Sequence, residues 1–342
     1  MILKIGNRSI DLYNTVNVTL SYDSVASAFS MSVFFDPNNA DQKAMFKPGR
    51  YAEVTLDHEG EVLITGTLLI IKFASEAEYQ LAQLSGYSKT GVLEDCEIPT
   101  SSYPLQSDKL SLKEIAEKVV KPFGLKVIID PAVASKVSRP LPKSTASDSQ
   151  SIKGYLSEIA GQKHVMVTHD QYGNLVLTEA KTTQSPIFDF TPGTYLKASL
   201  DFDGQQMHNE VTIQKQATLK HKGNTGQASV KNPYCNVFRP KTARQTSGEI
   251  VDTGNAARNM LSDELKAISV RIEVQGWKLG NKIIRPNNIV TIISPENYIY
   301  KKTRLFIQSV SFTGKSNGDE TAVINCCLPE VFSTATPINI FD

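Results

Sequence analysis

The feature that most restricts the fold is a phrase written twice. Residues 46–55 read FKPGRYAEVT and residues 284–293 read IRPNNIVTII. Each runs apolar, basic, Pro, turn residue, polar, and then into a β-rich stretch. Without a gap, Phe46 faces Ile284, Lys47 faces Arg285, Pro48 faces Pro286 and Gly49 faces Asn287. Tyr51 and Ala52 then face Ile289 and Val290, and Val54 faces Ile292. Downstream, GTLLIIK at 66–72 faces KTRLFIQ at 302–308, and Leu81-Ala82-Gln83 faces Val323-Ile324-Asn325. The length changes fall between strands, in turns, where a duplicated fold absorbs them. The order strand, turn, strand, turn, strand is kept throughout, as an internal repeat requires. The plainer alternative is that two antiparallel meanders look alike, since a Pro before a strand harms no hydrogen bond.

The segments around the repeat fall into a β-rich pattern with two helical interruptions. Val16, Val18 and Leu20 alternate with polar residues, as do Phe29, Met31 and Val33 with serines. Further runs at 51–56, 62–73 and 80–87 are short and evenly spaced, as in a small barrel or sandwich. The pattern then changes to helical. Ser111 and Glu114 form a capping box, followed by Leu112, Ile115, Ala116, Val119 and Val120 on one face. Pro122 and Gly124 end that helix. Residues 125–129 are a strand and 131–150 read as a long loop. A second helix carries Ile152, Tyr155, Leu156, Ile159 and Ala160, with Gly161 as its cap. A hairpin follows around Tyr172-Gly173-Asn174. Strands return at 195–202 and 210–216. The polar stretch 217–248 reads as an extended excursion, Thr253 is placed to cap a third helix, and 270–277 is a strand.

The expected fold class is a mixed, β-rich α+β protein. It has two similar antiparallel β-barrels with two inserted or intervening α+β units. The expected domains are a first barrel at 1–97, which is continuous, and an α+β domain at 98–193. A second, split barrel is built from 194–216 with 280–332, a helix-containing piece at 217–279 is inserted in it, and 333–342 is a tail.

Composition mainly excludes. The chain of 342 residues carries 36 basic and 35 acidic residues, a net +1, so nothing pulls it strongly to nucleic acid or an anionic membrane. The N-terminal apolar run is too short for a signal-peptide core, and no run approaches the length of a membrane span. The expectation is a soluble protein with no stable membrane insertion, made in a cytoplasm. Cys96, Cys235, Cys326 and Cys327 show no metal-binding spacing and read as free thiols, the last two on opposite faces of a strand. The histidines His58, His164, His169, His208 and His221 form no HExxH. Nucleophile-elbow, Walker and dinucleotide motifs are lacking too. No catalytic residue, metal ligand or cofactor is therefore assigned. Glu94 with Asp95, or Asp201 with Asp203, could be named as a glycosidase pair, but such a pair is defined by spacing in space. Trp277, the only tryptophan, is expected in core or interface packing.

Three stretches carry a family resemblance. One is Gly86-Tyr87-Ser88-Lys89-Thr90 with Leu93 and Asp95. The second is the capped helix through Phe123-Gly124-Leu125-Lys126-Val127. The third is Gly276-Trp277, Arg285-Pro286-Asn287-Asn288, Leu305-Phe306-Ile307 and Val310-Ser311-Phe312, closing on Cys327-Leu328-Pro329. In order and spacing the whole chain resembles the tail hub proteins of contractile-tailed phages, most closely the Mu-type baseplate hub. It is also similar in plan to the T-even hub and to the hub part of type VI secretion spike proteins. One departure is Ile284, where Mu-type hubs commonly have an aromatic residue two before the Pro.

The resemblance implies a structural protein without enzymatic activity. It implies a homotrimer whose six barrels form a ring with a central channel for the genome, joining the sixfold tail tube to a threefold spike. Implied partners are a trimeric spike protein, a tail tube or tube-initiator protein, baseplate wedge and tape-measure proteins, and transient non-specific DNA in the channel. The implied place is the virion baseplate, after assembly in the host bacterial cytoplasm. Subunit contacts are assigned to barrel strands, on the argument that an unpaired β edge seeks a partner. They comprise Val62, Ile64, Leu69, Ile71 and Phe73 in the first barrel, and Thr303, Leu305, Ile307, Val310 and Phe312 in the second. Lys222, Lys231, Arg239, Lys241 and Arg244, with Lys220 and the interleaved aromatics Tyr234 and Phe238, are assigned to channel or partner contact. Alternative readings of another class are a tail-tip peptidoglycan hydrolase and a carbohydrate-binding receptor protein.

Overall fold

The computed structural model describes residues 1–75, 80–102, 106–141, 144–147, 150–215, 227–245, 253–333 and 335–342. The chain divides into two compact units. One comprises Met1–Glu179, Gly276–Pro286 and Ser309–Ala322, and the other Ala180–Gln275, Asn287–Gln308 and Val323–Asp342.

In the first unit five strands follow in sequence: β1 (Thr15–Ser21), β2 (Ala28–Phe34), β3 (Glu53–His58), β4 (Glu61–Ser75) and β5 (Gln80–Ser88). Their spatial order is β1-β2-β5-β4-β3, and a short strand Ile2–Ile5 lies beyond β3. Alternation explains them. Val16, Val18 and Leu20 on β1, and Phe29, Met31 and Val33 on β2, are buried while their neighbours are not. The β3–β4 turn is Glu59-Gly60, both with positive φ (49° and 83°), the signature of a tight hairpin. Where β4 and β5 cross closely only glycine fits: a Cβ on Gly66 would stand 2.1 Å from the Tyr87 carbonyl oxygen, and one on Gly86 1.9 Å from that of Thr67.

The same unit holds the α+β portion. Helix α1 (Leu112–Val120) has the expected capping box: Glu114 Oε2 accepts from the Ser111 N–H at 2.8 Å, and the Glu114 N–H donates to Ser111 Oγ at 3.3 Å. Helix α2 (Ile152–Gly161) starts on Ser151, and its end differs from expectation. Gly161 is the last helical residue, Gln162 is the cap, and the left-handed turn falls on His164 at φ 52°. The five apolar residues read from each helix are all buried. They pack with the strands β6 (Val127–Ile129), β7 (Met166–His169) and β8 (Leu175–Thr178), where β8 pairs antiparallel with β7 and parallel with β6. The expected loop after residue 130 contains a short helical turn, Ala134–Val137, whose Val137 is buried. At four residues it is too short to leave a helical period in the sequence.

In the second unit the strands are β9 (Lys197–Phe202), β10 (Glu210–Lys215), β11 (Gln227–Lys231), β12 (Pro240–Gln245), β13 (Ile268–Gln275), β14 (Ile289–Ser294), β15 (Ile299–Lys315) and β16 (Glu320–Cys327). Helix α3 (Thr253–Glu264) precedes β13. β15 and β16 belong to this unit through residues 299–308 and 323–327. The order β9-β13-β16-β15-β14 matches the order of the first five strands, element for element. An equivalent small difference sits at the end: Asp189–Phe190 pairs parallel with β14, where Ile2–Ile5 pairs antiparallel with β3.

The repeat is therefore visible in strand order, and also in backbone detail. Gly49 and Asn287, aligned from sequence, both adopt left-handed φ, at 76° and 61°. Ala82 and Ile324 are both fully buried, at 0% exposure. One detail is corrected. Thr67 pairs with Glu53, and the equivalent pair is Arg304 with Thr291. Thr67 thus corresponds to Arg304, not Thr303, a slip of one residue from the sequence alignment. Burial agrees, because Gly66 and Leu68 are buried, as are Thr303 and Leu305.

Two strand assignments also move. Residues 268–275, read with the inserted piece, are a strand of the five-strand order, next to β9. Residues 210–215, read as barrel, instead pair with β11 and β12 in a separate three-stranded sheet. The stretch 217–248, read as an excursion, thus supplies two strands among its described residues. Their signal was weak because only small side chains (Ala228, Val230, Ala243) alternate with the exposed polar ones.

Candidate assembly surface

The expectation of contact strands rested on unpaired edges, and the structure relocates those edges. β4 has β3 on one side and β5 on the other, and β15 lies between β14 and β16. Ile64 is 1% exposed, Leu305, Ile307, Val310 and Phe312 are 0%, and Thr303 is 7%. These six side chains are core, because both edges of their strand segments are filled and their faces are covered. Val62, Leu69 and Ile71 are half-buried, and Phe73 is exposed.

What stays open is the far end of β4. β3 pairs with it only as far as Thr67, and the last link is Leu68 N–H to the Ala52 carbonyl at 2.9 Å. Over residues 69–75 β4 keeps β5 on one side, and no strand pairs on the other among the described residues. Ile70 is 51% and Phe73 46% exposed. The Phe73 ring stands 4.7 Å from Phe35, which stands 6.1 Å from Phe46. Ile70 was missed because a register shift between Leu68 and Ile70 breaks the alternation of the LLIIKF run.

A second open edge was not read from sequence. β9 hydrogen-bonds β13 on one side and no strand on the other, among the described residues. Its Ala198 and Leu200 are half-buried, and Phe202 and the preceding Leu196 are exposed. Nothing in the sequence marked it, since KASLDF alternates three apolar residues as its counterpart TVNVTLS does.

The basic residues separate into two groups. Lys231, opposite Glu210, and Arg244, opposite Gln214, share the exposed face of the β11-β10-β12 sheet with Thr212, Ser229 and Thr242. Thr212 and Ser229 hydroxyls meet at 2.7 Å. Arg239 and Lys241 are tied to their own unit: the Arg239 guanidinium donates to the Gln205 carbonyl at 3.0 Å, and Lys241 Nζ to Glu264 Oε1 at 3.1 Å. Lys220 and Lys222 lie outside the described residues. Phe238 is 87% exposed, whereas Tyr234 is half-buried. The Tyr234 hydroxyl donates to the Ile338 carbonyl at 2.8 Å, and its ring meets Phe341 edge-on at 5.8 Å.

Most of the groups weighed for chemistry are tied into structural contacts, and Asp201 is exposed. Glu94 Oε1 accepts from Lys153 at 2.8 Å, and Asp95 from the Tyr87 hydroxyl at 2.5 Å. Asp203 caps a turn through the Gln205 N–H at 3.0 Å. His169 bridges the Ser24 carbonyl (3.1 Å) and Ser27 Oγ (2.7 Å), and burial holds its imidazole below the ordinary value. His58 is buried against Trp277, ring centroids 4.4 Å apart, with Glu320 at 3.8 Å and Glu59 at 3.9 Å. Burial lowers the His58 imidazole too, against the pull of those two carboxylates. Trp277 is 1% exposed and donates to the Thr313 carbonyl at 3.1 Å, a core position as expected. Cys326 and Cys327 are both buried, and desolvation raises the Cys326 thiol. Among the described residues no group of three or more His, Cys, Asp or Glu is placed to hold a metal ion, and no helix is long and apolar enough to cross a membrane.

Comparison with known proteins adds to this geometry. Residues 90–179, the α+β portion, match the family "Baseplate hub protein gp44-like, second domain". No curated protein matches the chain in sequence. Among solved structures, the chain is similar to the 43 kDa tail protein of prophage MuSo2 from Shewanella oneidensis, with a TM-score of 0.81 and 25% identity, covering 97% of this chain and 99% of that one. It is similar to the tail protein from Neisseria meningitidis MC58, with a TM-score of 0.80 and 16% identity over 98% of each chain. It also shares a fold with the E. coli c3393 protein, a type VI secretion component described as similar to T4 tail proteins gp27 and gp5. There the TM-score is 0.57 and identity 8%, covering 99% of this chain and 80% of that one. The expected β-rich α+β class is the class of these tail structures: residues 90–179 match a baseplate hub domain, and the chain as a whole shares the fold of the tail proteins.

Proposed function

We propose that the chain is the hub of a phage tail or tail-like injector. In this reading it assembles as a homotrimeric ring that joins a sixfold tail tube to a threefold spike, around a channel that passes the genome. The observation that carries the reading is the repeated strand order, β1-β2-β5-β4-β3 and β9-β13-β16-β15-β14, within one chain. Two like modules per chain make six from three copies. A six-subunit tube ring can then meet six similar surfaces while a trimeric spike meets three chains. A head-to-tail interface whose rotation closes gives such a ring.

The work in this reading is mechanical, and no residue carries a reaction. Spike and tube proteins are the partners, with baseplate wedge and tape-measure proteins beside them. The likeness to a type VI secretion component supports the spike side of this reading. Among the described residues of the basic stretch, Lys231 and Arg244 are exposed on one sheet face, and their contact with DNA in the channel would be non-specific and salt-sensitive. The virion baseplate is the place, after assembly in the host bacterial cytoplasm.

The test is mass in solution by light scattering. Three chains per particle supports the hub. A single-chain particle that clears a cell-wall suspension would instead favour a tail-tip hydrolase.

A further inference from the structure

Within the second unit one ring joins three places that lie far apart in sequence. Phe341 meets Phe202 at the end of β9 (ring centroids 5.8 Å apart), Tyr234 in the β11–β12 connection (5.8 Å) and Tyr298 in the β14–β15 turn (6.2 Å). The first two contacts are edge-on, a favoured arrangement of aromatic pairs. The turn geometry does not call for these rings. The equivalent turn of the first module, Glu59-Gly60, also has positive φ, as Tyr298 does at 61°, and it closes without an aromatic residue. Tyr298 and Tyr300 nonetheless stand 59% and 60% exposed, their rings 5.2 Å apart. Clustered apolar surface that the fold does not require marks a contact site.

The segment that carries Phe341 is held more loosely than the chain before it. Val331 is buried, the Phe332 ring stands 4.8 Å from Phe306, and Ser262 Oγ donates to the Glu330 carbonyl at 2.9 Å. Residues 335–342, by contrast, form neither helix nor strand. The Tyr234 hydroxyl donates to the Ile338 carbonyl at 2.8 Å, Asn339 Nδ2 to the Pro233 carbonyl at 3.4 Å, and Lys301 Nζ to the Asp342 carbonyl. The N–H groups of Ala335 and Phe341 donate locally, to Ser333 Oγ at 3.4 Å and Asn339 Oδ1 at 3.0 Å. Beneath residues 335–337 lies a gap of about 260 Å³, lined also by Val230, Leu261 and Leu265, and Ile338 is 79% exposed. A segment fixed by one ring and a few hydrogen bonds over such a gap opens more readily than the paired strands around it.

We propose that residues 335–342 are a detachable strap over an aromatic cup formed by Phe202, Tyr234 and Tyr298, and that the cup is a docking site for an extended protein segment bearing an aromatic residue. The strap itself shows the chemistry of the occupant: a ring for the cup, with backbone carbonyls for the Tyr234 hydroxyl and the Lys301 ammonium. In the closed state Phe341 fills the cup. A partner segment of the same kind takes its place, and the strap is released. The inference does not depend on the ring reading.

The probe is a fluorescently labelled peptide with the sequence of residues 335–342, read by anisotropy. In the parent chain the tethered strap competes at a high effective concentration and keeps the peptide out. The full chain carrying Phe341→Ala should bind the peptide at least about tenfold more tightly than the parent. A peptide with the same Phe→Ala change should not bind, and adding Tyr298→Ala to the chain should abolish binding. Hydrogen exchange gives the second readout. The Tyr234 and Cys235 amides should exchange about tenfold faster in Phe341→Ala and slow again with peptide, while β13 amides stay as in the parent. Equal binding by parent and variant, or no binding to the variant with β13 protection intact, would overturn the docking cup. Loss of β13 protection in Phe341→Ala would show that the ring is core, and would overturn the strap.

Discussion

Glu264 offers a quantitative test of how the inserted sheet is held. Its side chain is 4% exposed, at the end of α3, and gathers three donors. The His208 N–H donates to Oε2 at 3.0 Å, while His208 Nδ1 at 2.7 Å and Lys241 Nζ at 3.1 Å converge on Oε1. Removing one partner of a fully buried charged cluster costs about 3–5 kcal/mol. Here the donors are not fully buried: the Lys241 and His208 side chains are 38% and 27% exposed, so both can rehydrate. The Glu264→Ala loss is therefore set mainly by the orphaned His208 N–H and one lost charged hydrogen bond, about 2–3 kcal/mol in all. Read locally, this is about 30- to 150-fold faster hydrogen exchange at the β10 amides of Val211 and Ile213, which sit under α3. The amides of β13, which belongs to the five-strand order, should stay within about threefold of the parent. Glu264→Gln, which keeps an acceptor, should fall between. Exchange at β10 unchanged by Glu264→Ala would refute the claim that this carboxylate ties helix to sheet.

Other outcomes follow from single positions. Gly49→Ala should cost about 1 kcal/mol by thermal unfolding, because φ is 76° and no atom lies within 4 Å of a new Cβ, leaving backbone strain as the only term. Its repeat partner should cost more, about 2 kcal/mol for Asn287→Ala, since Asn287 Oδ1 also accepts the Lys181 N–H at 2.8 Å. Burial makes the folded chain hold a proton on His58 less readily than the unfolded chain does. Stability should therefore fall as pH drops below the ordinary value of 6.5, with the unfolded chain taking up the extra proton, and His58→Gln should flatten that slope. Trp277, the only tryptophan, reports the protonation of His58 in the folded chain, because an imidazolium 4.4 Å away quenches its fluorescence. A quenching midpoint at or above 6.5 would contradict the burial argument.

How far the sequence reached depended on side-chain size. The helices α1 and α2 were legible because their faces carry Leu, Ile, Val and Tyr at helical spacing and their caps are serines. The repeat was legible because Pro48 and Pro286 mark equivalent turns, and because Gly49 and Asn287 tolerate the left-handed backbone there. The one-residue slip in its second strand was not legible, since GTLLIIK and KTRLFIQ have apolar runs without alternation. β11 and β12 were hidden because one face is polar and the other carries only Ala228, Val230, Ala243 and the half-buried Lys241. The open edges were out of reach for a different reason. Whether a strand has a neighbour on its second side is a property of topology, which is why Leu305 and Phe312 were placed on a surface and proved to be core.

In the hub reading, one chain supplies two like modules to a closed ring. Electron-microscope class averages of the purified chain, viewed end-on, test this most directly. The expected image is a ring of six similar lobes whose true symmetry is threefold, around an open centre. Single-chain particles, twofold particles, or threefold particles with only three lobes on the ring would contradict it.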